Sequence, residues 1–190
     1  NEVIPDAKYI YIVRDGLDVV GSSKLRWTAG FELLYSLKKA RFIPLVDLSK
    51  YVYRYAKNRI YRMLSAKRKL ASWGPSLNNM ENITRKNTLN EVCALQWSKC
   101  VTSSDSAFSD MNPDAWYYLK YENFVESPEE ELGKILNFIE VSISKDLAIK
   151  LVENVSVKNI GKGRAELSIC EIEKLKPIIG SMMESHGYKI

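Results

Sequence analysis

The feature that most constrains this chain is an apolar run, Tyr9–Val13, that ends on Arg14, Asp15 and Gly16 and passes at once into a helical pattern. An unbroken run of β-branched and aromatic residues suits a strand buried in a parallel sheet. Gly16 permits a sharp turn, and residues 17–26 place Leu17, Val20, Ser23 and Lys24 on one side of a helix. A strand feeding directly into a helix is the unit of an open α/β sheet, whose ligands sit at the carboxyl ends of strands. The first helical turn offers unpaired N–H groups and the positive end of the helix dipole, which favour an anion. Arg14 adds a planar fork that grips phosphate, and the Ser22 hydroxyl, in the second turn, can bond the same anion. By pattern alone, a surface salt bridge closing the turn explains Arg14 and Asp15 equally well.

Residues 5–27 read PDAKYIYIVRDGLDVVGSSKLRW. This stretch resembles the 3′-phosphate-binding segment of sulfotransferases that use 3′-phosphoadenosine 5′-phosphosulfate (PAPS). The strand, Arg14, Asp15, Asp18, Val19, Val20 and Ser22 carry the resemblance. It implies that Arg14 and Ser22 hold the 3′-phosphate of the nucleotide. It also implies an α/β fold of the P-loop NTPase-like sulfotransferase type, a parallel sheet flanked by helices.

Two later stretches extend the resemblance. Residues 116–121, WYYLKY, form a second strand expectation, followed by Glu122 and Asn123. They are similar to the family segment in which a tyrosine lies near the adenine, a role that passes to Tyr121. The family often has Asp where this chain has Asn123. Residues 159–164, NIGKGR, set two glycines around a lysine and end on an arginine. Such a loop brings backbone N–H groups and cations to an anion. In its place in the chain it resembles the family's basic, glycine-containing loop that covers the 3′-phosphate, which assigns Lys162, Gly163 and Arg164 to the nucleotide.

The remaining segments read as scaffold. Ser49 can cap a helix running to about Leu70. Trp73, Gly74 and Pro75 open a loop running to Asn87. That loop and the later Gln96-Trp97 pair resemble bacterial-type sulfotransferases, in which this region shapes the acceptor site. Thr88 with Glu91 is a capping box that opens a helix with Leu89, Val92, Cys93, Gln96, Trp97, Cys100 and Val101 on its core face. Residues 103–113 read as a polar connection. Ser127 and Pro128 start a helix as cap and first residue, with Leu132, Ile135, Leu136 and Ile139 as its buried stripe. Ser144 starts another that buries Leu147, Leu151, Val152 and Val155. Ser168 with Glu171 caps the last helix, which stops at His186 and Gly187. A histidine at a helix end reads as structural.

The chain of 190 residues suits a single domain, residues 1–190, with a basic helical insert at about residues 31–87. The net charge of +5 is uneven. Residues 38–86 hold 13 Lys and Arg against Asp47 and Glu81, so the remainder is net negative. A basic amphipathic helix can meet a membrane surface, an acidic partner or nucleic acid, but its tyrosines lack a base-stacking spacing, and nucleic acid is not expected. No run is long enough to span a membrane. The three cysteines, Cys93, Cys100 and Cys170, lack metal-ligand spacing. Cys93 and Cys100 are expected as buried free thiols, and no metal is expected.

The function these readings favour is transfer of a sulfuryl group from PAPS to a hydroxyl or amine of a carbohydrate, protein or small metabolite, leaving 3′-phosphoadenosine 5′-phosphate (PAP). In the family a phosphosulfate-binding loop and a catalytic base precede the matched stretch. The expectation is that an upstream segment or a second chain supplies them, that no residue here is the base, and that this portion alone is weakly active or inactive. A cytoplasmic location is expected, with a luminal one as the alternative. Competing readings are a non-catalytic polyanion-binding protein of the same fold and a nucleotide kinase relative. The kinase reading is disfavoured because no Gly-Lys-Ser/Thr loop occurs.

Overall fold

The computed structural model describes residues 6–28, 53 and 74–190. Apart from residue 53, the expected helix of residues 49–70 lies outside the described residues, as does most of the basic segment. Strand β1 (Tyr9–Val13) pairs in parallel with β2 (Trp116–Lys120), with Tyr11 opposite Tyr118 and Val13 opposite Lys120. Alternation along β1 sends Tyr11 and Val13 into the core and Ile10 and Ile12 to the other face. Burial on both faces was the expectation from the apolar run. Among the described residues one face is covered, and Ile12 is 56% exposed.

Helix α1 (Gly16–Thr28) leaves β1 directly and buries Leu17, Val20 and Ser23, as its spacing predicts. Helix α2 (Met80–Lys86) occupies part of the stretch read as loop. Asn79 enters it in the left-handed conformation (φ 60°), which asparagine tolerates better than most residues. The preceding turn is anchored by Gln96, whose side chain donates to the Pro75 carbonyl at 2.8 Å.

Helix α3 (Leu89–Ser109) opens on the expected capping box of Thr88 and Glu91. It packs Val92, Cys93, Ala94, Trp97 and Val101 between α1 and the last helix. It also runs through residues 103–109, which read as a polar connection. The reason is tertiary: Phe108 stacks on Tyr11 at 4.8 Å, and Asp105 accepts the Tyr11 hydroxyl at 2.7 Å. Cys93 is buried, and desolvation pushes its thiol up to about 11. Cys100 is exposed instead, although it lies seven residues beyond Cys93 on the same side of α3.

After β2 the chain turns at once into α4 (Tyr121–Glu126), so Tyr121 opens a helix rather than closing a strand. Helix α5 (Pro128–Phe138) starts where expected, with Pro128 at its first position. The Ser127 side chain makes no capping bond, because its backbone (φ −134°, ψ 62°) lies outside the usual cap conformation. Glu129, Glu130 and Glu131 face the dipole of the first turn instead. The expected apolar stripe of α5 is half-buried, and Glu131 is buried beside the Tyr117 hydroxyl. Helix α6 (Lys145–Val152) has the expected Ser144 cap, yet Leu147 and Leu151 are exposed and Val152 is buried.

The glycine and lysine stretch folds as a short helix, α7 (Lys162–Ala165), after Gly161 in the left-handed region (φ 73°). Helix α8 (Ile169–Ser185) opens on the expected Ser168 and Glu171 capping box. It seats Leu175, Ile179 and Met183 against α3. Burying each such side chain is worth roughly 1.5–3 kcal/mol, and this α1, α3 and α8 layer is the platform that fixes β1 and the loops at its end.

His186 follows α8 and lies between the Tyr118 hydroxyl (3.0 Å from Nδ1) and Asp105 (3.1 Å from Nε2). With Tyr11 bonded to Asp105, these side chains form a polar network under the sheet. Burial and Asp105 push the Tyr11 phenol well above its ordinary range. The network pins the end of α8 to α3 and β2, consistent with a structural histidine.

Candidate anion-binding site

The end of β1 hands the chain to α1 through Arg14 and Asp15, and Asp15 caps the helix itself. Its Oδ1 accepts from the Leu17 amide at 2.8 Å and more distantly from Asp18. The first turn of α1 was expected to offer its amides to an anion. Asp15 takes that position, so the Leu17 and Asp18 amides are already partnered.

A cleft of about 400 Å³ runs between α1 and α7. Arg14, Ser22, Lys162 and Gly163, all singled out by the sequence, line it together with Leu25, Arg26, Asn159 and Glu166. Two segments far apart in the chain meet here because of two glycines. A Cβ on Gly21 would lie 2.1 Å from the Gly163 carbonyl oxygen, and a Cβ on Gly163 would lie 2.1 Å from the Asp18 carbonyl oxygen. No other residue type fits at either position without separating the helices.

Asp18 is the hub of the site and is 1% exposed. Its Oδ2 accepts from the Gly161 amide at 2.7 Å and from Arg14 Nη2 at 3.1 Å, and its Oδ1 accepts from the Arg164 amide at 2.9 Å. One buried carboxylate therefore holds both the Arg14 fork and the backbone of α7. Such a charge is tolerated in the interior only when paired and hydrogen-bonded. Arg14 also donates to the Asn159 carbonyl at 2.6 Å. Its guanidinium carbon lies 4.5 Å from the centre of the Tyr121 ring, in cation–π range. Its Nε is buried with no hydrogen-bond partner. A buried donor without an acceptor costs about 1–3 kcal/mol.

The other sequence-predicted residues differ in what they do. The Ser22 hydroxyl, which lines the cleft, donates back to the Val19 carbonyl at 3.1 Å within α1 and must turn from it to donate to an anion. Lys162 is exposed at the rim. Arg164 is not among the lining residues. Its guanidinium pairs with Asp15 Oδ2 at 3.0 Å and bonds the Lys189 carbonyl. Tyr121 stands behind Arg14 and also lines a separate apolar cavity of about 170 Å³ with Ile10, Ile12, Leu119, Phe124 and Ile135. Glu122 accepts from the Asp15 amide at 3.1 Å and from the Tyr188 hydroxyl at 2.6 Å. Burial and that carboxylate push the Tyr188 phenol well above its ordinary range.

Asp18 entered the sequence reading only as part of the matched motif, with no role assigned, and Arg26 was not singled out. The signal for Asp18 was its position four residues after Arg14, a spacing that pairs side chains on a helix. The signal for Arg26 was its position one turn beyond Ser22. Among the described residues there is no group of three side chains suited to a metal, and no helix long and apolar enough to cross a membrane.

Comparison with known proteins gives the site a context. The family model of the sulfotransferase domain matches residues 3–173. Among solved structures, the chain is similar to a sulfotransferase domain from the curacin biosynthetic pathway. The two share 13% identity at a TM-score of 0.50, over 97% of this chain and 55% of that one. This chain thus spans about half the length of that relative, and the likeness bears on the fold alone. It agrees with an α/β sulfotransferase architecture built on a parallel strand pair. No curated protein matches.

Proposed function

Since the chain belongs to the sulfotransferase domain family, we propose that its donor is PAPS and that the cleft between α1 and α7 holds the 3′-phosphate of that nucleotide. The observation that carries this reading is Arg14. It lines the cleft just before α1, beside Ser22 from that helix and Lys162 and Gly163 from the far end of the chain. The Arg14 guanidinium is a planar fork suited to phosphate oxygens, the Ser22 hydroxyl donates to the anion once turned from the Val19 carbonyl, and Lys162 supplies charge. Tyr121, whose ring lies against the Arg14 guanidinium, is the aromatic residue assigned to the adenine. Arg164 acts through Asp15 by fixing the turn that aims Arg14.

In the transfer, an acceptor oxygen or nitrogen attacks sulfur and the bond from sulfur to the 5′-phosphate oxygen breaks. The electron pair leaves on PAP, and the acceptor proton passes to a base. The residues assigned here contribute positioning: they hold the unreactive end of the donor so that the sulfonate is presented in one orientation. The acceptor is a hydroxyl or amine of a carbohydrate, a protein or a small metabolite.

The test is ligand-linked stability. Binding to the folded state raises the melting temperature as ligand exceeds its dissociation constant. PAP at millimolar concentration is expected to raise the melting temperature of the protein, and Arg14→Ala to remove that rise. A wild-type protein unmoved by PAP overturns the proposal.

A further inference from the structure

Arg14 cannot by itself balance a phosphate dianion, because its charge is already matched by Asp18 at 3.1 Å. The charge available to an incoming anion comes from the other cations of the cleft, Lys162 and Arg26. Neither has an ion-paired or hydrogen-bonded partner among the described residues. Glu166 lines the same cleft, so Lys162 and Arg26 together leave it with one surplus positive charge. Of the two cations, Arg26 is the one carried by α1, the helix that bears Ser22. It lies one helical turn beyond Ser22 on the same face of α1, and helical side chains lean toward the N-terminus. Arg26 and Ser22 thus share one wall of the cleft they line.

We propose that Arg26 is a specificity residue that contacts the outer oxygens of the 3′-phosphate and sets the preference for a 3′-phosphorylated nucleotide over one with a free 3′-hydroxyl. The assignment rests on the nucleotide reading of the cleft given above. Arg26 is exposed and in the last turn of α1, where a cation is favoured by the helix dipole. Its replacement leaves the core intact.

The experiment measures calorimetric affinities of the full chain for PAP and for adenosine 5′-monophosphate (AMP), which lacks the 3′-phosphate. Wild type, Arg26→Ala, Arg26→Lys and the remote surface control Lys99→Ala are compared. Arg26→Ala is expected to weaken PAP by about tenfold, the effect of one partly screened charged contact, and to leave AMP within about twofold. Arg26→Lys is expected to recover part of the loss, and Lys99→Ala to match wild type. An unchanged ratio of PAP to AMP affinity in Arg26→Ala overturns the inference, as does an equal loss for both nucleotides. If wild type binds neither, the nucleotide reading itself fails, a result distinct from wild-type binding with an indifferent Arg26.

Discussion

Replacing Asp18 by asparagine keeps the size of the side chain and removes its charge. The carboxylate accepts from two backbone amides and a guanidinium, shared between its two oxygens. An amide group presents one oxygen and one NH₂. Whichever way it is turned, an NH₂ faces an N–H, so at least one of Gly161 and Arg164 loses its acceptor. Arg14 loses its counter-charge in both orientations. A charge-assisted bond contributes about 1.5–3 kcal/mol and a buried donor left unpaired costs about 1–3 kcal/mol. The expected loss is therefore about 3 kcal/mol for Asp18→Asn, and about 4–5 kcal/mol for Asp18→Ala, which removes every acceptor. In a chain of this length 3 kcal/mol lowers the melting temperature by roughly 6–12 °C. Urea melts followed by far-ultraviolet circular dichroism measure the loss, and the PAP-induced rise measured below the lowered transition is expected to vanish. A double-mutant cycle with Arg14→Gln should show coupling of at least about 1 kcal/mol. Asp18→Asn within about 0.5 kcal/mol of wild type, or strict additivity with Arg14→Gln, would refute the role of Asp18 as the hub.

Three further outcomes follow from the same geometry. Gly163→Ala places a methyl 2.1 Å from the Asp18 carbonyl oxygen, so α7 must move away from α1. A loss of about 1–3 kcal/mol is expected, together with the PAP response, and denaturant melts with and without PAP check both. Arg164→Ala cuts a half-exposed pair with Asp15, worth about 1 kcal/mol or less. It should weaken PAP less than Arg14→Ala in side-by-side titrations. Glu171 accepts from the Ser168 amide and hydroxyl and lies near Lys24, which holds its carboxyl at about 2 against an ordinary 4.5. A depressed carboxylate stabilises the fold above the unfolded value and loses that contribution as pH falls from about 4.5 toward 2. The stability difference between wild type and Glu171→Gln, about 1 kcal/mol after solvent screening, should therefore shrink across that window in acid titrations of the two melts.

What the sequence determined by itself is what acts within a few residues. The capping boxes at Thr88 and Ser168 were legible because cap and third residue are close neighbours, and both are formed. The strand at Tyr9–Val13, the turn at Arg14 and the helix bearing Ser22 were legible from composition and spacing in the same way. The nearness of residues 159–164 to that turn entered only through family resemblance. Only the tertiary structure decided how the parts are used. Residues 103–109 are helical because Phe108 and Asp105 meet Tyr11, a partner supplied by another element. Ser127 matches a cap in sequence and makes no capping bond, since the preceding α4 sets its backbone angles. Arg164 looked like Lys162 as a phosphate cation, yet it turns to Asp15 and the chain end while Lys162 faces the cleft. Asp18 had no visible partner beyond Arg14. Its backbone partners at Gly161 and Arg164 are reached only when Gly21 and Gly163 let α1 and α7 touch. Local chemistry chooses where helices begin. Which charges face each other depends on how closely two backbones approach, and that distance is set by residues that are not neighbours in the chain.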